Sequence, residues 1–180
     1  MNTWLNAIAY QATWVAAIAG AASGRWWVGP LAALVFAAWQ LPRSPKPRAD
    51  LALIGCALAL GFVLDSLLAQ GGLLRYAAPV PWPDLAPAWI LALWMSFALT
   101  LNHSLAYLQR HLQLAALLGA IGAPLAYSAA ARSGALAFSA TPSLALLLLA
   151  ASWALLAPAL CALAARLASE APLALRGVER

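Results

Sequence analysis

The sequence predicts an all-α protein: a polytopic membrane bundle of six transmembrane helices with both termini cytoplasmic. Three observations predict it. The chain is 65% hydrophobic and 8% charged, with a mean hydropathy of +0.84, too little charge to cover a soluble domain. Several apolar runs approach or exceed the roughly 18 residues that mark a membrane helix. The breaks between these runs carry Pro, Gly and Arg, and the cations fall mostly on one side.

The first span covers about 4–22. Its start has a rough signal-peptide shape, but it lacks a basic n-region and a second apolar run follows at once, so a retained helix is expected. Ser23-Gly24-Arg25 forms a tight turn, and a short second span covers about 27–41. In Leu41-Pro-Arg-Ser-Pro-Lys-Pro-Arg48, prolines stop the helix and cations mark the cytoplasmic side. The third span, about 50–69, ends at Gly71-Gly72. Tyr76 to Pro87, rich in proline around Trp82, reads as an irregular outer segment. The fourth span is expected over 87–109, the fifth over 112–131 and the sixth over 143–167, with a kink at Pro158. The bundle would occupy 1–168 and a polar cytoplasmic tail 169–180.

Charge sets the orientation. With Arg43, Lys46, Arg48, Arg110, Arg166, Arg176 and Arg180 inside, only Arg25, Arg75 and Arg132 lie outside, as positive-inside sorting requires. A net charge of +5 placed this way is no nucleic-acid footprint. Arg outnumbers Lys nine to one and alanine abounds, a composition associated with GC-rich bacterial genomes. The bacterial inner membrane is the expected location and membrane lipids the expected surroundings.

Asp65 is the sharpest feature. It is an acidic residue deep in an apolar run, and such residues need a partner or a function. Gly61 and Ala57 share its face, so it should point into the bundle. A structural role is the leading expectation, either an ion pair with Arg25, Arg75 or Arg132 or a cap or hydrogen bond to an outer loop, and an outward-facing solute or proton site is the alternative. Two polar stripes add candidates. Thr3, Asn6, Tyr10 and Thr13, flanked by Gln11 and Trp14, share a face of the first span. Ser96, Thr100, His103 and Tyr107, flanked by Asn102 and Ser104, share a face of the fourth. The two could meet as a hydrogen-bonded seam or a small polar cavity, and histidine is the side chain that changes charge near neutral pH. Depth separates His103, about 9 Å above the cytoplasmic end, from Asp65, about 21 Å above it, at 1.5 Å per residue. An Asp65–His103 acid/base pair is therefore not expected.

The candidate polar site is thus Asp65, Asn102, His103, Asn6, Tyr10 and Gln11, with no catalytic residue assigned. His103 and His111 have no acidic neighbour in sequence, so neither a metal site nor a cofactor is expected. Cys56 and Cys161 read as packing residues, not a disulfide. Small residues four apart (Ala16/Gly20, Ala17/Ala21, Ala57/Gly61, Gly119/Ala123, Gly122/Ala126) offer sites for close helix contact.

Certain pieces carry a resemblance: Asn6 with Tyr10-Gln11 and Trp14; Gly20-Ala21 with Gly24 and Trp26; Gly61-Phe-Val-Leu-Asp65-Ser-Leu67; Ala88-Trp89 with Trp94; and Leu101-Asn102-His103-Ser104-Leu105. Together they resemble a family of small bacterial inner-membrane proteins known only as a domain of unknown function. Its genes often lie beside genes for fatty-acid modification, such as cyclopropane-fatty-acid-synthase-like enzymes. The resemblance implies a non-enzymatic accessory in envelope or lipid modification, with a membrane protein or lipid-modifying enzyme as partner. In architecture the chain is also similar to the S-components of energy-coupling-factor transporters, which implies small-solute binding, with Ala16/Gly20 and Ala17/Ala21 as a docking stripe. MreD-type rod-shape proteins have a stretch similar to Gly61–Leu67. A third possibility is a lipid-acting membrane enzyme that uses His103.

Overall fold

The computed structural model describes residues 3–139 and 141–170. Arg176, Arg180 and nearly all of the expected tail lie outside the described residues. The described chain is mostly helical, with α1 (Thr3–Ala22), α2 (Val28–Gln40), α3 (Pro47–Gln70), α4 (Ala88–Leu101), α5 (Leu112–Arg132) and α6 (Pro142–Glu170). Of these, α3, α5 and α6 are long and apolar enough to cross a membrane.

Local chemistry explains most boundaries. Pro47 opens α3, where its missing N–H costs nothing. Gly72, at φ +66°, turns the chain out of α3 in a conformation that L side chains rarely adopt. Pro124 and Pro158 both fall inside continuous helices.

Two expectations need correction. The fold is not purely helical: β1 (Leu74–Tyr76) pairs antiparallel with β2 (Leu136–Phe138). This clip ties the turn after α3 to the turn after α5. The fourth helix also stops at Leu101, not near 109. Asn102, His103 and Ser104 form turns, and Ala106–Arg110 is a 3-10 helix. Short polar side chains compete with the helix ladder for backbone partners. The last carbonyls of α4 are capped by the His103 and Leu105 backbone N–H groups on Thr100, by Asn6 on Leu99 and by Gln109 on Leu101.

Contacts between ends show that successive helices alternate in direction. Asn6 near the start of α1 bonds Gln40 at the end of α2. Asp50 near the start of α3 bonds Asn102 just past α4. Lys46, before α3, donates to the Ala168 carbonyl near the end of α6. One end of the bundle therefore gathers Arg43, Lys46 and Arg48, and the other carries the β-clip with Arg75 and Arg132.

The small residues set helix separations within the chain. A methyl on Gly20 would lie 2.6 Å from Val28 Cβ, and Gly29 sits against Ala17 and Trp89. Ala17, Gly20 and Ala21 are thus buried in α1's own packing and do not form an outward docking stripe. Between α5 and α6, a Cβ on Gly119 would come within 2.3 Å of the Trp153 carbonyl oxygen. Backbone cannot yield cheaply, so Gly119→Ala should cost about 1–3 kcal/mol despite alanine's better helix propensity. A lower melting temperature in detergent would show it. Gly122, one turn away, faces open space.

The outer surface is apolar around the bundle. Ile8 and Val15 on α1, Leu34 and Val35 on α2, and Leu117 and Leu125 on α5 are all more than half exposed. Exposed apolar surface on this scale is characteristic of contact with lipid.

Candidate functional site

Polar side chains gather in two clusters at opposite ends of the bundle, and an apolar cavity lies between helices. The cluster at the β-clip end centres on Asp65, which is fully buried. The Tyr76 hydroxyl donates to Oδ1 at 2.6 Å and the Tyr127 hydroxyl at 2.5 Å, while the Trp94 indole N–H donates to Oδ2 at 2.7 Å. The expected arginine partners are not used: Arg25, Arg75 and Arg132 are all exposed. A carboxylate only accepts hydrogen bonds, so three converging donors can satisfy it without a cation. Burial, and then the Asp65 carboxylate beside it, pushes the Tyr76 phenol well above its usual range, so Tyr76 keeps its proton and remains a donor.

Gly61 makes this arrangement possible. It lies one turn before Asp65 on the same face of α3. A Cβ there would come within 2.3–2.5 Å of the Trp94 ring atoms Cγ, Cδ1 and Cδ2. The Gly-x-x-x-Asp spacing therefore makes a slot for an indole and, four residues on, an acceptor for its N–H. Nearby, Ser66 Oγ accepts from the Ala86 backbone N–H, and Trp89 Nε1 donates to the Ala77 carbonyl. These bonds anchor the irregular Tyr76–Pro87 segment.

The second cluster closes the other end. His103 Nε2 lies 3.0 Å from Asp50 Oδ2, and Asn102 Nδ2 donates to Asp50 Oδ1 at 2.8 Å. Gln109 donates to both the Leu101 carbonyl and Asn102 Oδ1. Asn6, fully buried, donates to Gln40 and to the Leu99 carbonyl, and accepts from Ser104 Oγ at 2.6 Å. The structure thus brings Asn6, Asn102 and His103 to one end of the molecule and leaves Asp65 at the other. His103 does have an acidic neighbour, but it is Asp50, which sequence reasoning treated only as the edge of a span. Its signal was a carboxylate in the first turn of α3, where the helix dipole favours negative charge. Tyr107 leaves the stripe: it is exposed and stacks on His111. Ser96, Thr100 and Thr13 bond carbonyls of their own helices. Asp50→Ala should strand Asn102 and His103 and cost about 1–3 kcal/mol. Faster amide exchange confined to 99–110 would show that loss.

The cavity measures about 450 Å³ and lies between α1, α4, α5 and α6. Its walls include Trp14, Leu93, Trp94, Phe97, Ala123 and Trp153. Trp94 stacks on Trp153 at 4.6 Å between centroids, and Phe97 meets Trp153 edge to face. No charged residue lines it. Its rim is marked by the exposed lining residues, Gln11 on α1 and Leu118 and Gly122 on α5. The mouth therefore opens sideways between α1 and α5, beside their exposed apolar faces. Tyr10 and Gln11, which sequence reasoning assigned to the polar seam with Asn6, line this cavity instead. Cys161 also lines it, and Cys56 is exposed; both thiols are free. No group of three or more His, Cys, Asp or Glu suited to a metal occurs among the described residues.

Fold and site together define a helical bundle of membrane type, with a buried carboxylate anchor at one end, a capped polar cluster at the other and an apolar side cavity. The chain belongs to the family described as a protein of unknown function (DUF2878), whose profile matches residues 3–159. No curated protein and no solved structure matches the chain.

Proposed function

We propose that this chain is a six-span inner-membrane protein, both termini cytoplasmic, that receives one apolar guest from the bilayer and acts as a non-enzymatic accessory in lipid or envelope work. The observation that carries this reading is the uncharged, aromatic-walled cavity with its sideways mouth. Its volume falls in the range of roughly 300–1,000 Å³ that holds a single small molecule. Alternating helices and the grouped cations of the Arg43–Arg48 loop support the threading. The short helices α2 and α4 run into 3-10 turns at Leu41–Arg43 and, past Asn102, at Ala106–Arg110, which lengthens both segments.

The other readings have less support. A hydrophilic-solute site near Asp65 would need that carboxylate to be available, but it already accepts three donors. An enzyme using His103 would need a substrate pocket beside it, but the cavity is lined by other residues. A lipid-modifying enzyme is the partner class this reading implies, since the cavity offers binding without a general base.

Gly122 provides the test, because a side chain added there meets open space at the rim. Gly122→Phe should fold normally and plug the mouth. Octadecane brominated at mid-chain should quench tryptophan fluorescence more strongly in the wild-type protein, in lipid nanodiscs, than in Gly122→Phe. Equal quenching in the two would sink the guest reading.

A further inference from the structure

The cavity holds two polar groups that the fold itself does not use. The Tyr10 hydroxyl and the Gln11 amide have no hydrogen-bond partner among the described residues, and both line the cavity. The other hydroxyl in the wall, that of Tyr127, is committed to Asp65, as is the Trp94 N–H. A third donor, the Trp153 indole N–H, is buried in the same wall without an acceptor. An unpartnered amide facing lipid is costly, because hydrocarbon offers it no replacement for water. Elsewhere in the bundle the buried polar side chains are bonded: Asn6, Asp50, Asp65 and Ser96 all have partners. Among the described residues, the one buried side-chain donor without a partner, Trp153 Nε1, lies at this same cavity.

Resting on the apolar-guest reading, we propose that the guest is a single-chain or isoprenoid lipid with a neutral oxygen function, a hydroxyl or carbonyl, that pairs with Tyr10 and Gln11. A hydroxyl both donates and accepts, which matches the Gln11 carbonyl and N–H and the Tyr10 O–H. No cation lines the cavity to balance a carboxylate or phosphate, and an unpaired charge there would carry a large desolvation cost. The guest's apolar body lies along Trp14, Leu93 and Phe97, with its oxygen toward the α1 side of the mouth.

The test compares three probes with one chain: octadecanol, octadecane and octadecanoate, each brominated at mid-chain. Each is titrated into the full-length protein in nanodiscs above pH 8, with tryptophan quenching as readout. Octadecanol should bind roughly 25-fold tighter than octadecane, about fivefold for each of its two neutral hydrogen bonds, and octadecanoate should bind no tighter than the alkane. In Tyr10→Phe/Gln11→Leu the alcohol's advantage should vanish while alkane affinity stays. Neither replaced group bonds another residue, so folding should be unaffected.

Equal binding of alcohol and alkane to the wild type overturns the oxygen contact but leaves the apolar-guest reading standing. An alcohol preference that survives the double substitution also overturns it, because the contact would then lie elsewhere. Octadecanoate binding as tightly as the alcohol overturns the neutral head group. If no probe quenches the wild type more than Gly122→Phe, the guest reading fails and this inference fails with it.

Discussion

Asp65→Ala should remove most of the stability of the β-clip end of the bundle. The change leaves two tyrosine hydroxyls and an indole N–H without their acceptor, in a fully buried site. At about 1–2 kcal/mol per stranded donor, the loss is about 3–6 kcal/mol. The three donors come from β1, α4 and α5, so the loss loosens contacts among several elements at once. Thermal unfolding in detergent should show a large drop, and yield from membranes should fall with it. Asp65→Asn keeps one acceptor oxygen and should cost roughly 1–2 kcal/mol. Adding Tyr76→Phe and Tyr127→Phe to Asp65→Ala should recover part of the loss, because two of the stranded donors are then gone. An Asp65→Ala protein that melts like wild type would refute the anchoring role.

Gly61→Ala should be nearly as damaging, although it adds only a methyl group. That methyl would overlap the Trp94 ring at 2.3–2.5 Å. The ring cannot slide away without giving up its bond to Asp65 and its stacking on Trp153. Overpacking of this kind costs about 1–3 kcal/mol, and the broken indole bond to a charged acceptor adds about 1.5–3 kcal/mol. The substitution should also disturb the cavity, because Trp94 forms part of its wall. The signature is a lower melting temperature together with a shifted tryptophan emission spectrum. Gly61→Ala with Trp94→Leu should tolerate the methyl better than Gly61→Ala alone, since a smaller side chain leaves room for it.

Much of the fold was legible because apolar helices announce themselves by length and by what ends them. Pro47, Gly72 and the Ser23-Gly24 turn fall where the chain leaves one helix for the next, and the six expected segments correspond to α1–α6. The fourth was misjudged at its end for a physical reason. A polar stripe at helical spacing and a string of capping residues look alike when both contain Asn, His, Ser and Thr. The β-clip was hidden because Leu74–Tyr76 and Leu136–Phe138 are three residues each, too short for alternation to register.

The site was legible only in part. Asp65 stood out because an acid in an apolar run is conspicuous, but its partners lie 11, 29 and 62 positions along the chain, and nothing local points to them. Arginines were the natural guess for a carboxylate; two phenols and an indole do the same work without bringing a second charge into the bundle. Asp50 was missed because an acid at a helix start looks like a boundary. The apolar character of the cavity was not legible, since the tryptophans, leucines and glycines that line it are the residues that elsewhere fill a core. Tyr10 and Gln11 were noticed for their polarity, but their direction required the packing of α1 against α4.

The central claim, that the α1/α4/α5/α6 cavity holds a guest, is tested most directly by extracting the protein with its surrounding membrane into polymer-bounded discs and identifying the released small molecules by mass spectrometry. The account predicts one neutral, single-chain or isoprenoid molecule enriched with the wild-type protein and depleted from Gly122→Phe. Identical molecular inventories from the two proteins would contradict it.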